Sequence, residues 1–439
     1  AMRWNPSETN ITSGAATGTD RTCTGFVFTF PAIYLLAYSS RYLGSGGRRI
    51  VNPADVANLV PIALVASILA GLMGIMYFII FRRIWLVEDP LPMPAIHASI
   101  KLLDISHHLS SGAITEAKKS IKIVMGVAFL SGLFAFLRDF ALLDTPQGKS
   151  SVLNAAFAGP YYGHGTINIT PKGTSYEHYT YVGFTLTPIQ FAIGWFMKFR
   201  TALLVSLGTL LTFFVIMPLS VGFSTPVYVV QQLQDGTIIE GFFRVTDPQL
   251  INYGVGTAPS YIARDRIGRI IAIGAILGGG FTALFKMAPV FKSATQDIFK
   301  ATKGGKRRDW VPGKGWYEWP VSHIPIMMTV AFFGVSIIFI LGGFPPLHSI
   351  VFAFLLVALT FFFGAIAVKV SGEVGTTPVS GTSFITLFIL LIVFSNLPWV
   401  SEWGDPNKII VMALLGTAVF GSAISLSSDI MWDFRSGIY

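Results

Sequence analysis

Residues 371–384 read SGEVGTTPVSGTSF, a run of Gly, Ser, Thr and Pro around the single carboxylate of Glu373, set between two strongly apolar stretches. Two readings stand. The run is an ordinary loop joining two hydrophobic helices, or it is a piece of broken helix held inside a membrane. The choice depends on whether the surrounding chain is a membrane protein at all.

Of the 439 residues, 52% are apolar and only 12% are charged. Soluble domains carry about one quarter charged residues. Here long stretches have none, while Lys and Arg cluster in a few connecting segments, which is the composition of a polytopic membrane protein. The net charge of +9 then reflects an orientation bias across a bilayer, and nucleic acid is not implied. A single cysteine, Cys23, excludes an internal disulfide framework and a multi-cysteine metal site. Residues 1–24 are polar and lack an uninterrupted apolar core, so no secretory signal peptide is expected there.

A helical span needs roughly 20 mostly apolar residues. Candidates fall at 59–81, 122–143, 201–223, 268–289, 323–343, 347–369 and 408–427, with short or Pro-punctuated ones at 25–43, 181–197 and 384–399. Backbone in lipid must satisfy its own hydrogen bonds. The expectation is therefore an all-α polytopic membrane protein of about ten transmembrane helices, forming a single integral membrane domain (1–439) with broken or re-entrant elements. The connections 82–121 and 290–322 are rich in Lys and Arg, whereas 144–180 and 224–264 are poor. Alternating spans put both rich connections on the cytoplasmic side, together with both chain ends. Arg48, Arg49, Arg266 and Arg269 run against that orientation. GAITEAKKSIKIV (112–124) reads as a helix entering the membrane, and DGTIIEGFFRVTDPQ (235–249) as a small hairpin.

The chemistry-bearing residues are few. In the opening stretch, a broken helix would offer free backbone groups and helix ends to a polar solute, around Gly375, Thr376, Pro378 and Ser380. The same small residues would also let helices approach closely, a purely structural role. Glu373 is placed to load and release a coupling proton on alternate faces; alternatively it is a solvated carboxylate near Lys369. Asp429 and Asp433 share a helix face at i, i+4 with Arg435 within reach. They read as a structural ion cluster anchoring the last helix, with direct substrate contact as the alternative. His164 and His178 lie in the tyrosine-rich segment 161–181 and are the weak metal candidates. Their spacing matches no zinc pattern, and interfacial aromatics are ordinary membrane anchors. No cofactor is expected. AIGAILGGGFTALF (272–285) has no Walker lysine after it, and the lack of a nucleotide-binding motif argues against an ATP-driven pump.

Four stretches carry a resemblance. RRIWLVEDPLPMPAIHASIKLLDISHHLSSGAITEAKKSIKIV resembles the cytoplasmic segment of the oligopeptide transporter family, including its yellow-stripe-like branch. GFTLTPIQFAIGWFMKFRTALLVSLGTLLTFFVIMPL resembles the family's following helix pair, and SGEVGTTPVSGTSFITLFI its Gly/Ser/Pro element. SSDIMWDFRSGIY is similar to its D-x-x-x-D-F-[K/R]-x-G signature, with Asp429, Asp433, Phe434, Arg435 and Gly437 in the matching places. The four occur in family order. Family members are usually longer at both ends, so the resemblance implies a truncated or short member.

The resemblance implies an inverted- or pseudo-repeat bundle and proton-coupled uptake of small peptides or metal chelates, with the bilayer, protons and the solute as partners. A prokaryotic plasma membrane is the expected location. Two other classes stay open: a polytopic membrane enzyme, for which no aspartate-rich metal site, Ser/His dyad or H-E-x-x-H appears, and a non-transporting subunit of a larger assembly.

Overall fold

The computed structural model describes residues 5–39, 49–83, 85–86, 90–146, 148–157, 159, 161–163, 165–232, 237–276, 323–375, 377–396 and 407–438, with the single positions 278, 279, 282, 285 and 289. Its main helices are α1 (Pro6–Thr22), α2 (Thr24–Tyr38), α3 (Pro53–Arg83), α4 (His97–Ser110), α5 (Ile114–Asp139), α6 (Pro188–Phe196), α7 (Phe199–Gly222), α8 (His323–Leu341), α9 (Pro346–Val374), α10 (Val379–Asn396) and α11 (Asn407–Ile438). Among the described residues, six helices are long and apolar enough to cross a membrane: Pro53–Arg82 of α3, and α5, α7, α8, α9 and α11. The architecture is that of an all-α polytopic membrane protein.

Helix boundaries follow local chemistry. α1 opens on a reciprocal cap: Glu8 N donates to Asn5 Oδ1 and Asn5 N donates to Glu8 Oε2, each at 2.8 Å. Prolines stand at the first turns of α3, α6 and α9, where a missing N–H costs nothing. α5 runs unbroken from the Lys-rich segment into apolar sequence, the helix expected over 112–124.

Several sequence expectations are redrawn. The helix expected over 181–197 is a strand, Gly183–Thr185, followed by the nine-residue α6. Pro188 disfavours helix in the residue before it, and the strand pairs with Thr166–Asn168 instead. The hairpin is built from Pro226–Gln232 and Ile238–Arg244, so DGTIIEGFFRVTDPQ supplies only its second strand. α10 begins five residues ahead of the expected span 384–399. Span 268–289 lies partly, and segment 290–322 wholly, outside the described residues.

The chain divides into two compact units. The first comprises residues 1–9 and 101–272. It holds α5 and α7, three small antiparallel sheets, and a core of Val221, Val227, Val229, Val245, Leu250 and Ile262. Across the hairpin Val229 pairs with Gly241. Ser260 Oγ ties a short helix back to the carbonyl of Glu177 at 2.5 Å.

The second unit comprises residues 10–100 and 273–439. α11 is its axis, with α2, α3, α9 and α10 around it. The sequence of α11 explains how so many helices reach it, because Gly416, Gly421, Ser422, Ala423 and Ser425 remove side-chain bulk. Phe352 of α9 packs its ring into the place a side chain at Gly416 would fill. A Cβ on Gly74 of α3 would stand 2.7 Å from the Ala423 carbonyl.

Candidate functional site

Two helix breaks of the second unit point at the middle of α11. The first separates α1 from α2 at Cys23. Just beyond it, Gly25 lies so close to α11 that a Cβ would strike the Ala418 carbonyl, and its amide donates to Ser422 Oγ at 2.9 Å. The second break lies within residues 371–384. Ser371–Val374 finish α9, and Gly375 caps it in the left-handed conformation (φ 89°), its N–H donating to the Ser371 carbonyl at 2.8 Å. Pro378 precedes α10, and its carbonyl accepts from Thr382 Oγ1 at 2.8 Å.

The two breaks converge. A Cβ on Gly421 would lie 3.1 Å from Gly25 Cα and 3.1 Å from Ser383 Oγ. The first turns of α2 and α10 therefore meet at one glycine near the centre of a 32-residue helix. α9 overshoots this level: Gly364 already packs on Ile424, and the helix continues to Val374. The chain then doubles back to start α10. SGEVGTTPVSGTSF is thus a helix end, a turn and a helix start, with Ser371, Gly372, Val379, Thr382 and Ser383 buried. A further segment braces it, Met93 N donating to the Gly372 carbonyl at 2.7 Å.

Of the residues singled out in this stretch, Glu373 stands exposed on the last turn of α9. Ser371 Oγ and Thr377 Oγ1 lie 3.1 Å apart across the turn. Ser380 belongs to the first turn of α10. Thr376 lies outside the described residues, as does His164. His178 is exposed, its ring edge-on to Tyr179 at 5.0 Å. No group of three metal-ligating side chains occurs among the described residues.

The acidic pair on α11 is in different company from that expected. α1 runs antiparallel to the last turns of α11, so residues spaced by four on α1 face residues spaced by four on α11. Arg21 forms an ion pair with Asp429, whose side chain is only 6% exposed. Ser13 and Thr17 face the carboxyl of Asp433. Asn10 lies against Gly437, and Ser436 Oγ donates to Asn10 Oδ1 at 3.3 Å. The cation for Asp429 therefore comes from α1, while Arg435 donates from Nη1 to the Leu86 carbonyl at 3.1 Å. Sequence reasoning sought the cation on α11 itself and missed α1. The visible signal was the polar stripe Ser13, Thr17, Arg21 at helical spacing. A cavity of about 360 Å³ lies between the two helices, bordered by Asp20, Arg21, Asp429, Trp432 and Asp433.

The model of the OPT oligopeptide transporter protein family matches residues 1–439. The chain belongs to the oligopeptide transporter family. It is a family of transporters, not of enzymes, and membership together with the apolar helices makes this a multi-pass membrane protein. The chain is also similar to a Haemophilus influenzae protein named as a candidate oligopeptide transporter, with 23% identity over 392 residues, 84% of this chain and 52% of the relative. It thus spans about half the length of the curated relative it matches. No solved structure matches. Within this family member, the signature-like residues Asp429 and Asp433 are buried carboxylates that α1 covers, which gives the motif a physical role in joining the two helices.

Proposed function

We propose that the chain forms the solute-handling part of a secondary active transporter, a symporter that takes up small oligopeptides or metal chelates across the plasma membrane together with protons. The observation that supports this best is the convergence of two helix breaks on Gly421. Half-helices that start inside a bundle leave N–H groups and dipole ends unsatisfied within the membrane. Transporters use such ends to hold polar solutes near the midplane. In this reading the solute lies against residues 371–384, and Gly375, Thr376, Pro378 and Ser380 are the positions assigned to contact it. Glu373, the one carboxylate of that turn, carries the coupling proton, and rocking of helices around α11 alternates access. Both ends of the chain lie on the cytoplasmic side.

The test is uptake into proteoliposomes under an imposed pH gradient, offering labelled di- to tetrapeptides and iron chelates. Gradient-driven uptake that Glu373→Gln abolishes or uncouples supports the proposal. Uptake indifferent to the gradient, or unchanged in the variant, removes proton coupling at Glu373.

A further inference from the structure

We propose that the cavity between α1 and α11 is a binding site for a compact monovalent cation, held on the Asp433 carboxylate: a sodium ion or the primary ammonium group of a bound solute.

The charge balance comes first. Asp20, Asp429 and Asp433 border the cavity against one guanidinium, that of Arg21. Asp20 is 73% exposed and pairs with Arg21 at 3.2 Å, and Asp429 is engaged by the same guanidinium. Asp433 is left as the buried carboxylate without a cation assigned to it on α1. The residue is only 8% exposed, and its Oδ2 is buried with no hydrogen-bond partner among the described residues. A buried carboxyl takes up a proton, is paired or coordinates a cation, because an unsatisfied charge away from water is strongly unfavourable. A ligand that completes Oδ2 removes that penalty.

The surroundings define the ligand's chemistry. The hydroxyls of Ser13 and Thr17 face the same carboxyl, so the donor set is hard oxygen, which suits alkali and ammonium ions over soft metals. With Asp20 and Asp429 both on Arg21, Asp433 is the carboxylate left to be matched, and one carboxylate favours a single positive charge over two. Gly14 of α1 lies beside that carboxylate: a Cβ there would stand 3.9 Å from Oδ2, in ordinary van der Waals contact. Trp432 borders the same space, and an indole face also attracts cations. Only the use of this site in transport rests on the function proposed above; its existence does not.

Binding is read without flux. The purified full chain in detergent is held at constant ionic strength in choline chloride, and its thermal unfolding midpoint is followed while sodium replaces choline. In a second arm, still in choline, a dipeptide with a free N-terminus is compared with its N-acetylated twin. Saturable stabilisation by sodium identifies the ion; stabilisation by the free amine alone identifies the solute's ammonium. In either case Asp433→Asn weakens apparent affinity at least tenfold, Thr17→Val weakens it several-fold, and Asp144→Asn, at an exposed position outside the cavity lining, leaves it unchanged. If Asp433→Asn does not fold, Thr17→Val decides. Stabilisation in neither arm, or affinity indifferent to Asp433 and Thr17, overturns the proposal and leaves the transporter reading standing.

Discussion

Arg21 on α1 and Asp429 on α11 form an ion pair that joins residues 408 positions apart in the chain (429 − 21), one partner 42% and the other 6% exposed. Removing one side of a fully buried pair costs ~3–5 kcal/mol, because the remaining charge is stranded. Partial exposure of Arg21 softens this, so Arg21→Ala should cost about 2 kcal/mol. Asp429→Asn, which strands a guanidinium that can turn toward solvent, should cost less. The double variant should recover part of the loss. Chemical denaturation in detergent of the four proteins of this cycle measures the coupling, and strict additivity would show that the pair contributes nothing.

Gly25 and Gly18 make a controlled comparison. A methyl at Gly25 collides with the Ala418 carbonyl, backbone that cannot step aside, whereas nothing lies within 4 Å of one at Gly18. Gly25→Ala should destabilise by about 3 kcal/mol or more, the upper end for overpacking. Gly18→Ala should stabilise α1 by roughly 0.5–1 kcal/mol through helix propensity. Equal unfolding midpoints for the two variants would mean that α2 does not sit against α11 as described.

The left-handed Gly375 fixes how α9 ends. An L side chain in that conformation costs about 1–2 kcal/mol, while Asn tolerates it better. Gly375→Ala should therefore lower stability by about 1 kcal/mol and Gly375→Asn by less. A reversed order in unfolding experiments would rule out the left-handed cap.

Much of this was legible in the sequence, for identifiable reasons. Long apolar runs announce helices because lipid leaves the backbone no other option, and α3, α5, α7, α8, α9 and α11 all follow from that. The Gly/Ser/Thr/Pro run left two readings open, a plain loop or a broken helix, and the structure has a helix end, a turn and a helix start there. What could not be read was pairing at long range. Polar α1 carries no hydrophobic signal, so its role as the cover over Asp429 and Asp433 appears only once α11 is placed beside it. The strand at Gly183–Thr185 was likewise hidden: its apolar neighbours resemble a span, and only pairing with Thr166–Asn168 draws it out of helix.

The central claim is that the turn between α9 and α10 lines the solute pathway, and Thr377 is the place to ask. Because Cys23 is the chain's single cysteine, Cys23→Ser provides a thiol-free background, and Thr377→Cys in it places one thiol in the turn. Reaction with a membrane-impermeant methanethiosulfonate reagent is then timed in proteoliposomes, with and without small peptides or iron chelates. The account predicts that the thiol reacts and that a transported solute slows the reaction severalfold. A thiol that never reacts, or one whose rate no solute changes, would contradict it.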